Sequence, residues 1–226
     1  MVEKKTDRPK VERKINYSLH LAALVVTTLI FLIGILFGMQ IDNLLYKGID
    51  THLQEINNDR VLAVELMLLL GDDPKYCSFY ESELARFDGE TSRLGTQLEY
   101  LETEKNSIDS QTKSNYSMLL LRDYLFERKV NSICPGHESI QVLYFYWQPC
   151  ADCMQQGREL TFARQATGGK IRFYSFDADL NLPAISEFMK EYNVTMAPTL
   201  IIGSKKITGF ANKEKILEIA LGSAGK

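Results

Sequence analysis

The chain has 226 residues, 45% hydrophobic and 24% charged, with a formal charge of −3. That suffices for one ordinary core with additions, and it excludes a disordered or low-complexity chain. Nucleic-acid binding is excluded too. Residues 1–18 hold six Lys or Arg against three acids, a tail of +3 that leaves −6 for the rest, and there is no basic, aromatic-interleaved patch to neutralise phosphates.

The basic tail, residues 1–18, contains Lys4, Lys5, Arg8, Lys10, Arg13 and Lys14. It leads into residues 19–39, where "LAALVVTTLIFLIGILFGM" carries no charge and is long enough as a helix to cross a bilayer core of about 30 Å. A cleaved signal peptide has a shorter apolar region of roughly 7 to 15 residues before a small-x-small site, so the stretch is read as an uncleaved transmembrane anchor. Positive residues crowd its N-terminal flank, while the first twenty residues after it offer Lys47 among Asp42, Asp50 and Glu55. The N-terminus is therefore expected in the cytoplasm and the C-terminal part outside it, on a periplasm-like or extracellular face. Gly34 and Gly38 form a GxxxG pair through which two copies can approach, although glycine is common in membrane helices.

Residues 40–131 read as helical. Ile41, Leu44, Leu45, Ile49, Leu53 and Ile56 recur at helical spacing, and "GDDP" ends the run, with Gly71 suited to a C-terminal cap, Asp73 to an N-cap and Pro74 to a first helical position. Leu84, Phe87, Thr91, Leu94, Leu98, Leu101, Lys105 and Ile108 then alternate at three and four, a heptad row that needs a partner face. Met118, Leu119, Leu121, Tyr124, Leu125 and Phe126 can supply it in the same chain as a helical hairpin or bundle. An intermolecular coiled coil through this region is the alternative.

"NSICPGHES" breaks the pattern, and residues 137–226 alternate strand and helix. "IQVLYFYW" is a strand by its β-branched and aromatic content, residues 151–166 a helix, "KIRFYSFD" a second strand and "PAISEFMKEY" a second helix. "PTLIIG" and "KKITGF" pair as a hairpin around Gly203 and Ser204, and "NKEKILEIALG" closes as a helix capped by Asn212. The expected fold class is a small α/β mixed sheet with helices on both faces, preceded by one transmembrane helix and an α-helical hairpin or coiled-coil region.

With "CADC" at the first strand-to-helix turn and "MAPT" before the third strand, this part resembles the thioredoxin fold. The resemblance covers about the last ninety residues. It implies a redox-active CxxC pair, Cys150 and Cys153, and a cis proline, Pro198, whose preceding residue Ala197 exposes backbone to an extended substrate. It implies a protein thiol-disulfide oxidoreductase that needs no cofactor.

The pair also has a reading of its own. Cys150 falls at a helix N-cap, where unpaired backbone N–H groups and the helix dipole favour an exposed thiolate, so it is the attacking sulfur. Cys153, in the first turn, is within bridging distance and more covered, so it resolves the mixed disulfide. Pro149 bends the chain at the strand end. Trp147 and Tyr146 supply an apolar rim to the site or else pack in the core.

The motif departs from the family's in holding Ala151 and Asp152 between its cysteines, and the Trp usual beside the first Cys is absent. The acid that thioredoxins bury in this strand is also missing from "VLYFYW", which leaves its proton-transfer role vacant or passes it to Asp152 or water. A carboxylate at Asp152 disfavours the Cys150 thiolate, which makes the disulfide more stable. The expected direction is reduction or isomerisation rather than strong oxidation.

Cys77 and Cys134 flank helical segments, and in an oxidising compartment they can form a structural disulfide; free thiols and intermolecular pairing are the alternatives. No metal site is expected, since the CxxC has no second pair beside it and His20, His52 and His137 show no ligand spacing. Asn115 and Asn193 match the glycosylation acceptor pattern. The expected partners are the bilayer, cysteine-containing extracytoplasmic proteins and a redox partner that resets the pair. The other function class is a binding or scaffold module with a quiet disulfide and a partner-binding helical region.

Overall fold

The computed structural model describes residues 17–102 and 109–223; residues 1–16 of the basic tail, Lys105 and Ile108 lie outside the described residues, as do the side chains of residues 19, 39, 41–46 and 223. The chain divides into two compact units, one ending at Gly48 and one beginning at Ile49. Helix α1 spans Tyr17–Leu70. In the first unit, His20–Gly38 has a mean hydropathy of 2.7, and none of the span is buried. It is long and apolar enough to cross a membrane, and by length and composition a membrane anchor and a signal sequence both answer that description. Thr27 and Thr28 donate back to backbone carbonyls one turn earlier, so their hydroxyls are satisfied within the helix.

The second unit begins with three packed helical segments: residues 49–70 of α1, α2 (Cys77–Tyr100) and α3 (Ser110–Ile133). The heptad row is buried within the same chain: Leu94, Leu98 and Leu101 pack with Leu53, Ile56 and Leu119, while Leu84 and Phe87 pack with Ala63, Met67, Phe126 and Val130. Each fully buried side chain of this kind contributes roughly 1.5–3 kcal/mol. Gly71 turns the chain with φ +76 and Asp73 accepts the Lys75 N–H at 3.0 Å, so "GDDP" is a helix stop followed by a capped turn. The disulfide Cys77–Cys134, with Cα atoms 5.5 Å apart, joins the start of α2 to the end of α3.

A buried cation sits among these helices. Arg60 is fully inaccessible, donates to Asp123 at 2.6 Å, to the Phe87 carbonyl at 3.1 Å and to Thr91 at 3.2 Å, and lies over the Phe87 ring. Thr91 donates in turn to Asp123 at 2.7 Å. A buried charge persists only when paired and hydrogen-bonded, and here one network ties α1, α2 and α3.

Next come β1 (Ile140–Tyr146), α4 (Ala151–Ala166), β2 (Ile171–Asp177), α5 (Pro183–Glu191), β3 (Thr199–Ile202), β4 (Lys205–Thr208) and α6 (Lys213–Ser223). The sheet order is β2-β1-β3-β4. β1 and β2 are parallel, which requires the crossover helix α4, and β3 is antiparallel to both β1 and β4. Gly203, with φ +57, makes the hairpin turn, and Asn212 accepts the Lys215 N–H at 3.1 Å to cap α6.

The strand alternation sends two sets of side chains to two cores. Val142, Tyr144, Ile171, Leu200, Ile202 and Ile207 meet Leu160 and Ala163 of α4 and Ile216 and Ala220 of α6. Leu143, Phe145, Tyr174, Phe176 and Ile201 meet Ile185 of α5 and also Leu120, Leu121 and Tyr124 of α3. The second face is therefore closed in part by a helix from before residue 137. Of the residues expected to fill the groove of α2, Leu119 and Phe126 do so, while Leu121 and Tyr124 turn to the sheet. Asn115 lies in α3, and Asn193 is an exposed turn residue with φ +50.

Candidate redox site

The apolar strand β1 delivers "WQPCADC" to its own C-terminal end, where α4 begins. Cys150 is the N-cap of α4, with extended backbone, and its sulfur accepts the Cys153 N–H at 3.1 Å. A donor from the helix end aimed at sulfur favours a thiolate when the pair is reduced. The two sulfurs are bonded, with Cα atoms 5.2 Å apart. Cys153 is 6% exposed and Cys150 is half-buried, so an incoming group meets Cys150 first. Tyr144, below them on β1, donates to the Cys153 carbonyl at 2.7 Å, and burial pushes its phenol well above the ordinary value.

Pro198 is buried and its bond to Ala197 is cis. Ala197 is half-buried and packs, like Cys150, against the cluster that contains Cys153. The preceding Met196 is exposed, and the Pro198 carbonyl is taken by the Gly209 N–H at 2.8 Å. Gln148–Pro149 is a second cis bond at the expected bend; a single X-Pro pair carries no isomer signal in the sequence. Asp152 is exposed in the first turn of α4, and Trp147 is half-buried.

What lies opposite the cysteines has no local motif in the sequence. A cavity of about 600 Å3 is lined by Cys150, Cys153, Trp147, Tyr144 and Tyr146 and also by Thr96 of α2, Lys113 of α3 and Glu102 just past the end of α2. Ligand-sized pockets run from about 300 to 1,000 Å3. A polar cluster closes one end. Gln148 donates its side-chain amide to Glu102 at 2.9 Å and its backbone N–H to Asp179 at 3.0 Å, while Lys113 bonds Glu102 and lies 3.7 Å from Asp177. Burial raises the Asp177 carboxyl above its ordinary value, against the hydrogen bond from Asp179 and the charge of Lys113. Tyr146 beside it is raised as well, first by burial and then by the Asp177 charge. The one available sequence signal was "FDAD" at the C-terminal end of a strand of the parallel pair, where sites form in open α/β sheets.

No family model and no curated protein matches the chain. Solved structures do. Thioredoxin-2 of a malaria parasite is 20% identical, covering 37% of this chain and 82% of its own, with a TM-score of 0.34. Chloroplastic thioredoxin z is 20% identical over 39% of this chain and 80% of its own, with a TM-score of 0.34. The C-terminal domain of Neisseria meningitidis DsbD, in its reduced form, is 21% identical over 42% of this chain and 88% of its own, also at 0.34. The chain itself has a thioredoxin-like mixed sheet with a CxxC pair at disulfide distance between β1 and α4, consistent with thiol-disulfide exchange.

Proposed function

We propose that the protein is a membrane-anchored thiol-disulfide oxidoreductase acting on cysteines of extracytoplasmic proteins. The observation that carries this reading is the half-buried Cys150 sulfur at the N-cap of α4, bonded to a covered Cys153. In the reducing direction the Cys150 thiolate attacks one sulfur of a substrate disulfide, forming a mixed disulfide and expelling the other as a thiolate that takes a proton. The Cys153 thiolate then attacks Cys150, releasing the second substrate thiol and leaving the Cys150–Cys153 disulfide. Two electrons pass to the substrate, and a dithiol partner must return them. If instead another substrate thiolate attacks the substrate sulfur of the mixed disulfide, a new substrate disulfide forms and Cys150 leaves as a thiolate, which is isomerisation with no net electron transfer. Ala197 and Pro198 are the substrate-binding positions, with Trp147 at the rim. The apolar segment serves as anchor, with the basic tail in the cytoplasm.

The direction follows from Asp152. Its carboxylate opposes the negative charge of a Cys150 thiolate, which favours the disulfide and a low reduction potential. Turnover by the full chain in detergent tests the reading: insulin reduction with dithiothreitol is expected to run above the uncatalysed rate and to fall to it in Cys150→Ser. An equal rate in wild type and Cys150→Ser would refute it.

A further inference from the structure

β2 is an outer strand of the sheet. Ile140 of β1 donates to the Lys170 carbonyl at 2.8 Å, so in the parallel ladder the backbone groups of 170, 172, 174 and 176 turn towards β1 and those of 171, 173, 175 and 177 turn away. The Ile171 N–H, pointing away, is taken by the Thr167 hydroxyl at 3.2 Å. The outward N–H and C=O groups of Phe173 and Ser175 have no partner among the described residues, and both residues line the cavity that holds Cys150 and Cys153.

Helix α2 lines the same cavity as this edge, and the segment is tied to the sheet domain at two places. Asp88 pairs with Arg164 of α4 and lies 4.0 Å from Arg172 of β2, and fourteen residues later Glu102 holds Gln148 and Lys113. Between these ties α2 presents Ser92, Gly95 and Thr96 to the cavity. A slot walled on one side by strand-edge N–H and C=O groups matches an occupant that donates and accepts at a two-residue repeat. A small anionic thiol has no such ladder, and the wall charges named here are already paired with one another.

We propose that an extended segment of the substrate polypeptide enters this slot as an added strand on β2, bonding to Phe173 and Ser175, and so carries its cysteine to Cys150. Main-chain addition to a sheet edge supplies affinity without demanding a sequence, which suits an enzyme acting on many unfolded or partly folded chains. The inference rests on the redox reading for its substrate class. α2 then acts as the outer wall of the slot, excluding folded surfaces that a bare edge would also accept.

Amide hydrogen exchange of the full chain in detergent tests it, with a ten-residue Val- and Thr-rich peptide in which Ser replaces the single Cys. The peptide is expected to slow exchange at Phe173 and Ser175 by about tenfold or more, the scale of one to two hydrogen bonds, and to leave Arg172 and Tyr174 unchanged. No slowing at Phe173 and Ser175 overturns the proposal. So does slowing without peptide, which means a second copy fills the edge if it grows with protein concentration, and the chain itself if it does not. In Thr96→Trp, which plugs the slot from α2, reaction of Cys150 with the Cys form of the peptide, activated as its nitrothiobenzoate disulfide, is expected to fall about tenfold. Reaction with the free aromatic disulfide reagent should hold. Equal loss with both reagents contradicts the slot, whereas a wild-type Cys150 inert to the small reagent contradicts the redox reading and leaves the exchange result to decide the edge.

Discussion

Glu102, just past the last residue of α2, accepts a hydrogen bond from the Gln148 side chain at 2.9 Å, two residues before Cys150. The helical segment is thereby tied to the loop that carries the redox pair, and Asp88 with Arg164 makes the matching tie at the other end. Partly exposed ties of this kind are each worth roughly 0.2–1 kcal/mol. The double variant Asp88→Ala/Glu102→Ala is expected to raise amide exchange over residues 92–100 by about two- to tenfold while leaving β1 and β3 protected. Unchanged exchange in α2 would show that its apolar face alone holds it.

The disulfide Cys77–Cys134 closes a loop with a sequence separation of 57. Chain entropy assigns such a loop about 4 kcal/mol. The variant Cys77→Ala/Cys134→Ala is therefore expected to unfold at lower urea, losing about 3–4 kcal/mol, while Cys150 keeps its reactivity. An unshifted midpoint would mean that α2 and α3 are equally constrained without it.

Glu127 of α3 is inaccessible and bonds to Tyr174, with Arg172 at 3.1 Å and His137 at 3.8 Å. Burial alone would push its carboxyl up; His137, Arg172, Ser139 and Tyr174 outweigh that and hold it below its ordinary 4.5. The unfolded chain then binds a proton more readily than the folded one, so the stabilisation is present above about pH 4.5 and is lost as pH falls through the lower folded value. Glu127→Gln is expected to cost roughly 1.5–3 kcal/mol near pH 7, with a smaller gap at acid pH, measured by urea unfolding at each pH. A gap that widens on acidification would reverse the assigned sign.

Much of the C-terminal fold was legible in the sequence, because its strands are β-branched and aromatic runs and its helix ends carry capping residues. The helix read over 151–166 is the α4 observed. The face assignment of α3 was not legible: its apolar residues cover two faces, and periodicity cannot say which meets α2 and which meets the sheet. The burial of Arg60 has no local signal in the sequence, since its partner Asp123 is 63 residues away. The site was half legible. Cys150, Cys153 and Pro198 carry local motifs, whereas Glu102, Gln148 and Asp177 meet only through the packing of α2 beside the sheet.

Asp152 sets the expected direction of the chemistry. Replacing it by His removes a negative charge beside the Cys150 thiolate, favours the reduced pair and raises the reduction potential. The expected rise is about 30 mV, tenfold in the equilibrium constant, measured against glutathione mixtures. An unchanged or lower potential would remove Asp152 from the account.

The central claim, that Cys150 attacks and Cys153 resolves, is tested most directly by trapping. Cys153→Ser in the full chain, offered a disulfide-bonded substrate, is expected to accumulate a mixed disulfide that mass spectrometry of its fragments locates at Cys150, while Cys150→Ser accumulates none. A substrate disulfide at Cys153, or none in either variant, would contradict the account.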